Sequence, residues 1–110
     1  MIQLRGIDHV VLRVRDIDAM RRFYCDVLGA EHVAWRPQFR MSHLRAGASM
    51  IDLVVADPAE GRNMDHFCLR VEPFDQLAVI AHLIKNGVVP GETKRRYGAD
   101  GTGPSIYISD

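Results

Sequence analysis

Residues Ile7 to Asp18 read IDHVVLRVRDID, and residues Met64 to Asp75 read MDHFCLRVEPFD. The two stretches agree at Asp8 and Asp65, His9 and His66, Leu12 and Leu69, Arg13 and Arg70, Val14 and Val71, and Asp18 and Asp75. Apolar residues alternate through the first half of each stretch and then fill in, as in a strand with one buried face. A strand that occurs twice with its histidine in the same place implies two copies of one unit, folded together and presenting two imidazoles to one site.

Working outward from the first copy, Asp16 offers an N-cap, and Met20, Tyr24, Val27 and Leu28 follow at helical spacing until Gly29 supplies a left-handed stop. Strand-like runs follow at about 30 to 36, 39 to 46 and 48 to 55, with Arg36-Pro37 and Ala46-Gly47 marking turns, so the first unit reads β-α-β-β-β. The segment ADPAEGRN, 56 to 63, reads as a linker. In the second copy, Pro73 is placed for a first helical turn, Phe74, Leu77, Ala81 and Ile84 form an apolar stripe, and Gly87 ends the helix. Strands are expected at about 88 to 93 and 104 to 109, separated by KRRYGADGTGP, a cationic, glycine-rich loop. The second unit therefore lacks one strand relative to the first.

A chain of 110 residues with 47% hydrophobic content is enough for one domain. Halves of about 50 residues must share a core or find one in a partner, so a homodimer is expected. The 14 basic and 14 acidic residues are scattered, which argues against nucleic acid or an anionic membrane as a partner. Charges interrupt every apolar run of the N-terminus, so neither a signal peptide nor a membrane span is expected there, and the protein reads as cytoplasmic. Cys25 and Cys68 are too few and too far apart for a disulfide framework or a zinc finger, and read as reduced thiols.

Strand alternation puts Val10, Leu12 and Val14 on a helix-covered face and His9, Val11 and Arg13 on the other. It divides Phe67, Leu69 and Val71 from His66, Cys68 and Arg70 in the same way. In the strand 48 to 55, Ile51, Leu53 and Val55 read as core, which sends Met50, Asp52 and Val54 to the histidine face. A carboxylate in so apolar a strand needs a partner, and a metal ion accounts for an acid together with two imidazoles. His9, His66 and Asp52 are the candidate ligands, a usual set for a divalent first-row metal with positions open to a substrate oxygen or water.

Plainer readings stand beside these. A single strand histidine is more often hydrogen-bonded in a core or exposed, and Asp52 would serve equally as an ion-pair partner of Arg45 or Arg40. Asp8 and Asp65 read as strand-start or turn residues pointing away from the histidines, and Arg13 and Arg70 as surface ion-pair partners at the rim. His32, His43 and His82, without repeated context, read as solvated or incidental. Cys68 either lines the cavity or acts as a small buried hydrophobe.

The paired (I/M)DHxxLRVxxxD strands, the helix ending FYCDVLG, the strand MIDLV and the segment RYGADGTGPSIYISD together resemble the vicinal oxygen chelate superfamily, over nearly the whole chain. That superfamily includes glyoxalase I, methylmalonyl-CoA epimerase, extradiol dioxygenases, fosfomycin-resistance enzymes and bleomycin-binding proteins. The resemblance implies an α+β fold in which paired βαβββ modules curl into a cupped mixed sheet. A single domain, 1 to 110, is expected, with module 1 at about 1 to 56, a linker at about 57 to 63 and module 2 at about 64 to 110. It implies first-strand histidines, here His9 and His66, as ligands of a divalent ion, whether Zn, Ni, Fe, Mn or Co. A further Glu or Gln ligand comes from the fourth strand in glyoxalase-like members, where this chain has Asp52, one methylene shorter. Family members continue into a last strand with a ligating glutamate, so the expectation is that a further strand follows Asp110.

The chemistry the resemblance implies is Lewis-acid catalysis on a small substrate with adjacent oxygens. A glyoxalase-like lyase or isomerase is the first expectation, with Asp52 as the catalytic carboxylate moving protons and Arg95, Tyr97, Ser105 and Tyr107 contacting substrate. An Fe(II) extradiol-type dioxygenase and a metal-free binding protein of the bleomycin-resistance type are the alternatives.

Overall fold

The first strand, β1 (Leu4–Val14), gives way at Asp16, whose side chain accepts a hydrogen bond from the Ala19 amide at 3.0 Å and caps helix α1 (Ile17–Arg21). The structure, a computed structural model, describes residues 1 to 57 and 61 to 109, so the middle of the expected linker and the last residue lie outside the described residues. From Arg22 to Val27 the helix widens into a π-helical turn, and Gly29, at φ +87°, leads the chain out of it.

Three strands follow, β2 (Glu31–Arg36), β3 (Met41–Ala46) and β4 (Ser49–Val55). The turn between β3 and β4 needs a positive φ, which Gly47 supplies at +64°, and it pairs Ala46 with Ser49. Beyond the linker come β5 (Met64–Val71), α2 (Gln76–Lys85), β6 (Lys94–Gly98) and β7 (Gly101–Ser105). The strands form a five-stranded sheet in the order β2-β3-β4-β1-β5 and a two-stranded sheet of β6 and β7. β1 runs parallel to β4, and β2-β3 and β3-β4 are antiparallel. β5 runs opposite to β1, because Arg13 N bonds Asn63 O at 2.6 Å at one end while Glu72 N bonds Gln3 O at 3.1 Å at the other. This is the expected mixed α+β class, with the β-α-β-β-β order of the first unit intact.

The chain forms two compact units, one of Ile7–Cys68 and one of Met1–Gly6 with Leu69–Asp110. In the first, Val14, Leu44 and Leu53 are the buried centre, and Leu12, Ile51, Ile17, Met20 and Tyr24 pack against them from the sheet and the helix. Sequence alternation assigned this face correctly. The opposite face is buried as well around His9, where Val11 and Met50 are each 2% exposed.

The second copy departs from expectation in five places. Phe67 and Leu69, read as core, are 56% and 42% exposed. In α2 the buried position is Leu83, with Val79 and Ile80 half-buried, while Leu77 and Ile84 are exposed. The segment QLAVIAHLIK carries two overlapping stripes at helical spacing, and packing selects the one that starts from Asp75, which caps the helix by accepting from the Ala78 amide at 3.1 Å. No strand forms at 88 to 93, and the glycine-rich segment read as a loop is instead the β6-β7 hairpin, turning at Ala99-Asp100 with Tyr97 opposite Thr102. The last strand expected at 104 to 109 is replaced by β7, which ends at Ser105. Gly91 then approaches the Tyr107 carbonyl so closely that a Cβ there would sit 3.0 Å from it, and its amide bonds that oxygen at 2.9 Å. Among the described residues, no helix is long and apolar enough to cross a membrane.

Candidate metal centre

β1 and β5 are neighbours in the sheet, and they bring the two repeated histidines together. The rings of His9 and His66 lie edge to face, with centroids 5.6 Å apart and an interplanar angle of 82°. His9 is buried at 8% exposure, and His66 is half-buried.

Each imidazole is held by the aspartate that precedes it. His9 Nδ1 is 2.6 Å from Asp8 Oδ2, and His66 Nδ1 is 2.7 Å from Asp65 Oδ1. This corrects the reading of Asp8 and Asp65 as turn residues directed away from the histidines. Neighbours on a strand do start toward opposite faces, but Nδ1 is the ring nitrogen closest to the backbone, and a carboxylate one residue back can reach it. The other oxygen of Asp65 accepts from Arg13 Nη2 at 2.8 Å, and Arg13 Nη1 also donates to the Met64 carbonyl at 3.1 Å. The ion-pair reading of Arg13 therefore stands, with the partner being the carboxylate that holds His66. Arg70 likewise pairs with Asp100, at 3.0 Å.

With the aspartates ionised they can only accept, which assigns the shared proton to Nδ1 and the ring lone pair to Nε2. Carboxylate-histidine pairs of this kind fix tautomer and ring orientation and raise the basicity of a ligating nitrogen. One ion bound at about 2.1 Å by a nitrogen of each ring can bridge a 5.6 Å centroid separation. Beside this pair, one ligand atom each of Asp8, His9 and Cys68 form a compact cluster, all within 4.8 Å of one another. Two oriented imidazoles, a thiol and carboxylates are the donor chemistry a divalent first-row ion takes, and the residues fit such a group.

Asp52 lies on the histidine face, as read from the sequence, opposite Val11 in the β1-β4 pairing; the residue directly beside His9 is Met50. The Asp52 carboxylate is engaged from the other side. His43, opposite it on β3, places Nδ1 2.7 Å from Asp52 Oδ1, and both residues are 4% exposed. His43 is thus a buried hydrogen-bond partner of Asp52 and not a solvated or incidental side chain. The signal for it was present: the Ala46-Gly47 turn pairs 46 with 49, and counting back along the hairpin sets 43 opposite 52.

Arg95, Tyr97, Ser105 and Tyr107 all fall in the second unit. Arg95 and Tyr97 share one face of the β6-β7 hairpin, and Arg95 Nη2 donates to the Thr102 carbonyl at 3.1 Å. Ser105 and Tyr107 are brought together by Arg96, which sequence reasoning did not single out. Its Nη1 donates to Ser105 Oγ at 2.7 Å and its guanidinium stacks 4.2 Å above the centre of the Tyr107 ring.

The family model of the Glyoxalase/Bleomycin resistance protein/Dioxygenase superfamily matches residues 6 to 103. The chain belongs to this superfamily. As a glyoxalase-superfamily chain it shares its fold with the crystal structure of methylmalonyl-CoA epimerase from Mycobacterium tuberculosis, at a TM-score of 0.69 and 22% identity, over 96% of this chain and 79% of that one. In sequence it is 30% identical over 84 residues to the trivalent organoarsenical cleaving enzyme of Bacillus sp. (strain MD1), a match covering 74% of this chain and 51% of the relative. The chain spans about half the length of that curated relative.

Proposed function

We propose that this glyoxalase-superfamily chain is a divalent-metal-dependent enzyme of the lyase or isomerase kind, acting on a small substrate with adjacent oxygens, with His9 and His66 as metal ligands. The observation that carries the proposal is the pair of imidazoles 5.6 Å apart, each with Nδ1 held by its own carboxylate. A core histidine needs only one satisfied hydrogen bond, whereas two repeated histidines with the same tautomer set by the same neighbour are arranged for a shared ligand. An ion bound there would supply Lewis acidity toward the adjacent oxygens of the substrate.

The chain's own residues provide the remaining functions. Asp8 and Asp65 keep the imidazoles oriented, and Arg13 anchors Asp65. Val11 and Met50, each 2% exposed, shield the His9 side of the site from solvent, which strengthens the polar interactions made there. Asp52, hydrogen-bonded to His43, is the carboxylate on that face able to accept or return a proton at Oδ2 while Oδ1 stays on the imidazole. A bond-cleaving relation to the organoarsenical cleaving enzyme is consistent with the lyase side of this reading. A homodimer belongs to the same proposal, since Phe67 and Leu69 remain exposed, and light scattering of the purified chain measures it.

The test is chemical. Protein loaded in turn with Zn, Ni, Co, Mn and Fe(II) is incubated in D2O with 2-hydroxy and 2-oxo compounds bearing adjacent oxygens, and C–H exchange at, or cleavage next to, the oxygen-bearing carbons is followed by NMR. The proposal expects turnover that depends on the metal and is lost in Asp52→Asn. Oxygen uptake with catechols under ferrous conditions, with no exchange chemistry, would favour a dioxygenase instead.

A further inference from the structure

We infer that Cys68 is a third protein ligand of the ion held by His9 and His66, so that the centre has two nitrogens and one sulfur. The inference rests on the metal-dependent reading above and adds a residue to it. Cys68 lies two positions from His66 on β5, on the same side of that strand, where residues 66, 68 and 70 are half-buried while 65, 67 and 69 are exposed. Its Sγ is within 4.8 Å of a ring nitrogen of His9. For a tetrahedral ion with bonds of about 2.1 Å to nitrogen and 2.3 Å to sulfur, the two donors stand about 3.6 Å apart. The separation in the structure is at most 4.8 Å.

The repeat supplies an internal comparison: Val11 occupies the place of Cys68 in the first copy and is packed there at 2% exposure. An apolar side chain satisfies the fold at this position, so packing does not explain a thiol. A thiolate in the donor set selects Zn or Co over Mn or Mg, which prefer oxygen.

The experiment is a titration of the chelator-stripped full chain with Co(II), followed by absorption. The proposal expects a near-ultraviolet sulfur-to-cobalt charge-transfer band that saturates with the visible cobalt bands, persists in Cys25→Ser and disappears in Cys68→Ser. Zn(II) affinity in Cys68→Ser should fall by at least about ten-fold, the lower end of what loss of a ligand's supporting partner costs, while Mn(II) affinity changes little. The wild-type and Cys25→Ser spectra decide the matter even if Cys68→Ser does not fold. Cobalt bound with visible bands that depend on His9 but with no charge-transfer band would overturn the sulfur ligand and leave the histidine site standing. A band that survives Cys68→Ser would overturn it equally, and no cobalt binding at all would remove the metal reading together with it.

Discussion

Replacing Asp8 by Asn keeps the size of the side chain but lets its amide turn NH2 toward His9 Nδ1. The ring proton then moves to Nε2, the nitrogen that must carry a lone pair to bind a metal. The site is dry at this point: the Asp8 and His9 side chains are 12% and 11% exposed, so water has little access to restore the tautomer. Loss of such a supporting partner costs about 10-fold to 100-fold in metal affinity, and the burial places Asp8→Asn near the upper end, about 100-fold or roughly 2.8 kcal/mol. Asp65→Asn is the internal control. Asp65 and His66 are 38% and 27% exposed, so solvent compensates in part and a loss near 10-fold is expected. Competition against a chromophoric chelator, with Zn(II) or Co(II), measures both constants. Wild-type affinity in Asp8→Asn, or a larger loss in Asp65→Asn than in Asp8→Asn, would refute the argument that these carboxylates set the ligand tautomers.

Three other substitutions test the scaffold. His43→Leu leaves the buried Asp52 carboxylate without its imidazole, and urea unfolding should show a loss of about 3 to 5 kcal/mol, with much of it recovered when Asp52→Leu is added. Leu53→Ala opens a cavity at a fully buried position between sheet and helix, with an expected cost of about 2 to 5 kcal/mol in the same assay and no direct effect on the histidines. Asp16→Ala removes the bond to the Ala19 amide and should cost about 1 kcal/mol, read as a small fall in Tm.

The first unit was legible because its signals were local. Strand alternation, the Asp16 cap and the turns at Arg36-Pro37 and Ala46-Gly47 each act over a few residues, and the repeat tied His9 to His66 across the chain. What escaped depended on side-chain reach or on packing. Asp8 and Asp65 were assigned to the wrong face because alternation describes where a side chain starts and not where its tip ends. His43 was missed although the hairpin register set it opposite Asp52, because no repeat drew attention to it. In α2 two stripes were equally periodic, and only burial of Leu83 separates them. The β6-β7 hairpin gave no alternation to read, since glycine fills three of its positions and backbone pairing alone defines it.

The central claim is that His9 and His66 jointly hold one divalent ion, and metal content measures it most directly. Chelator-stripped chain reloaded with Zn(II) or Co(II) and desalted should retain one ion per chain by elemental analysis, falling to near zero in both His9→Ala and His66→Ala while circular dichroism stays that of the folded protein. A wild-type chain that retains no ion, or a folded His9→Ala, His66→Ala double variant that still holds one, would contradict the account.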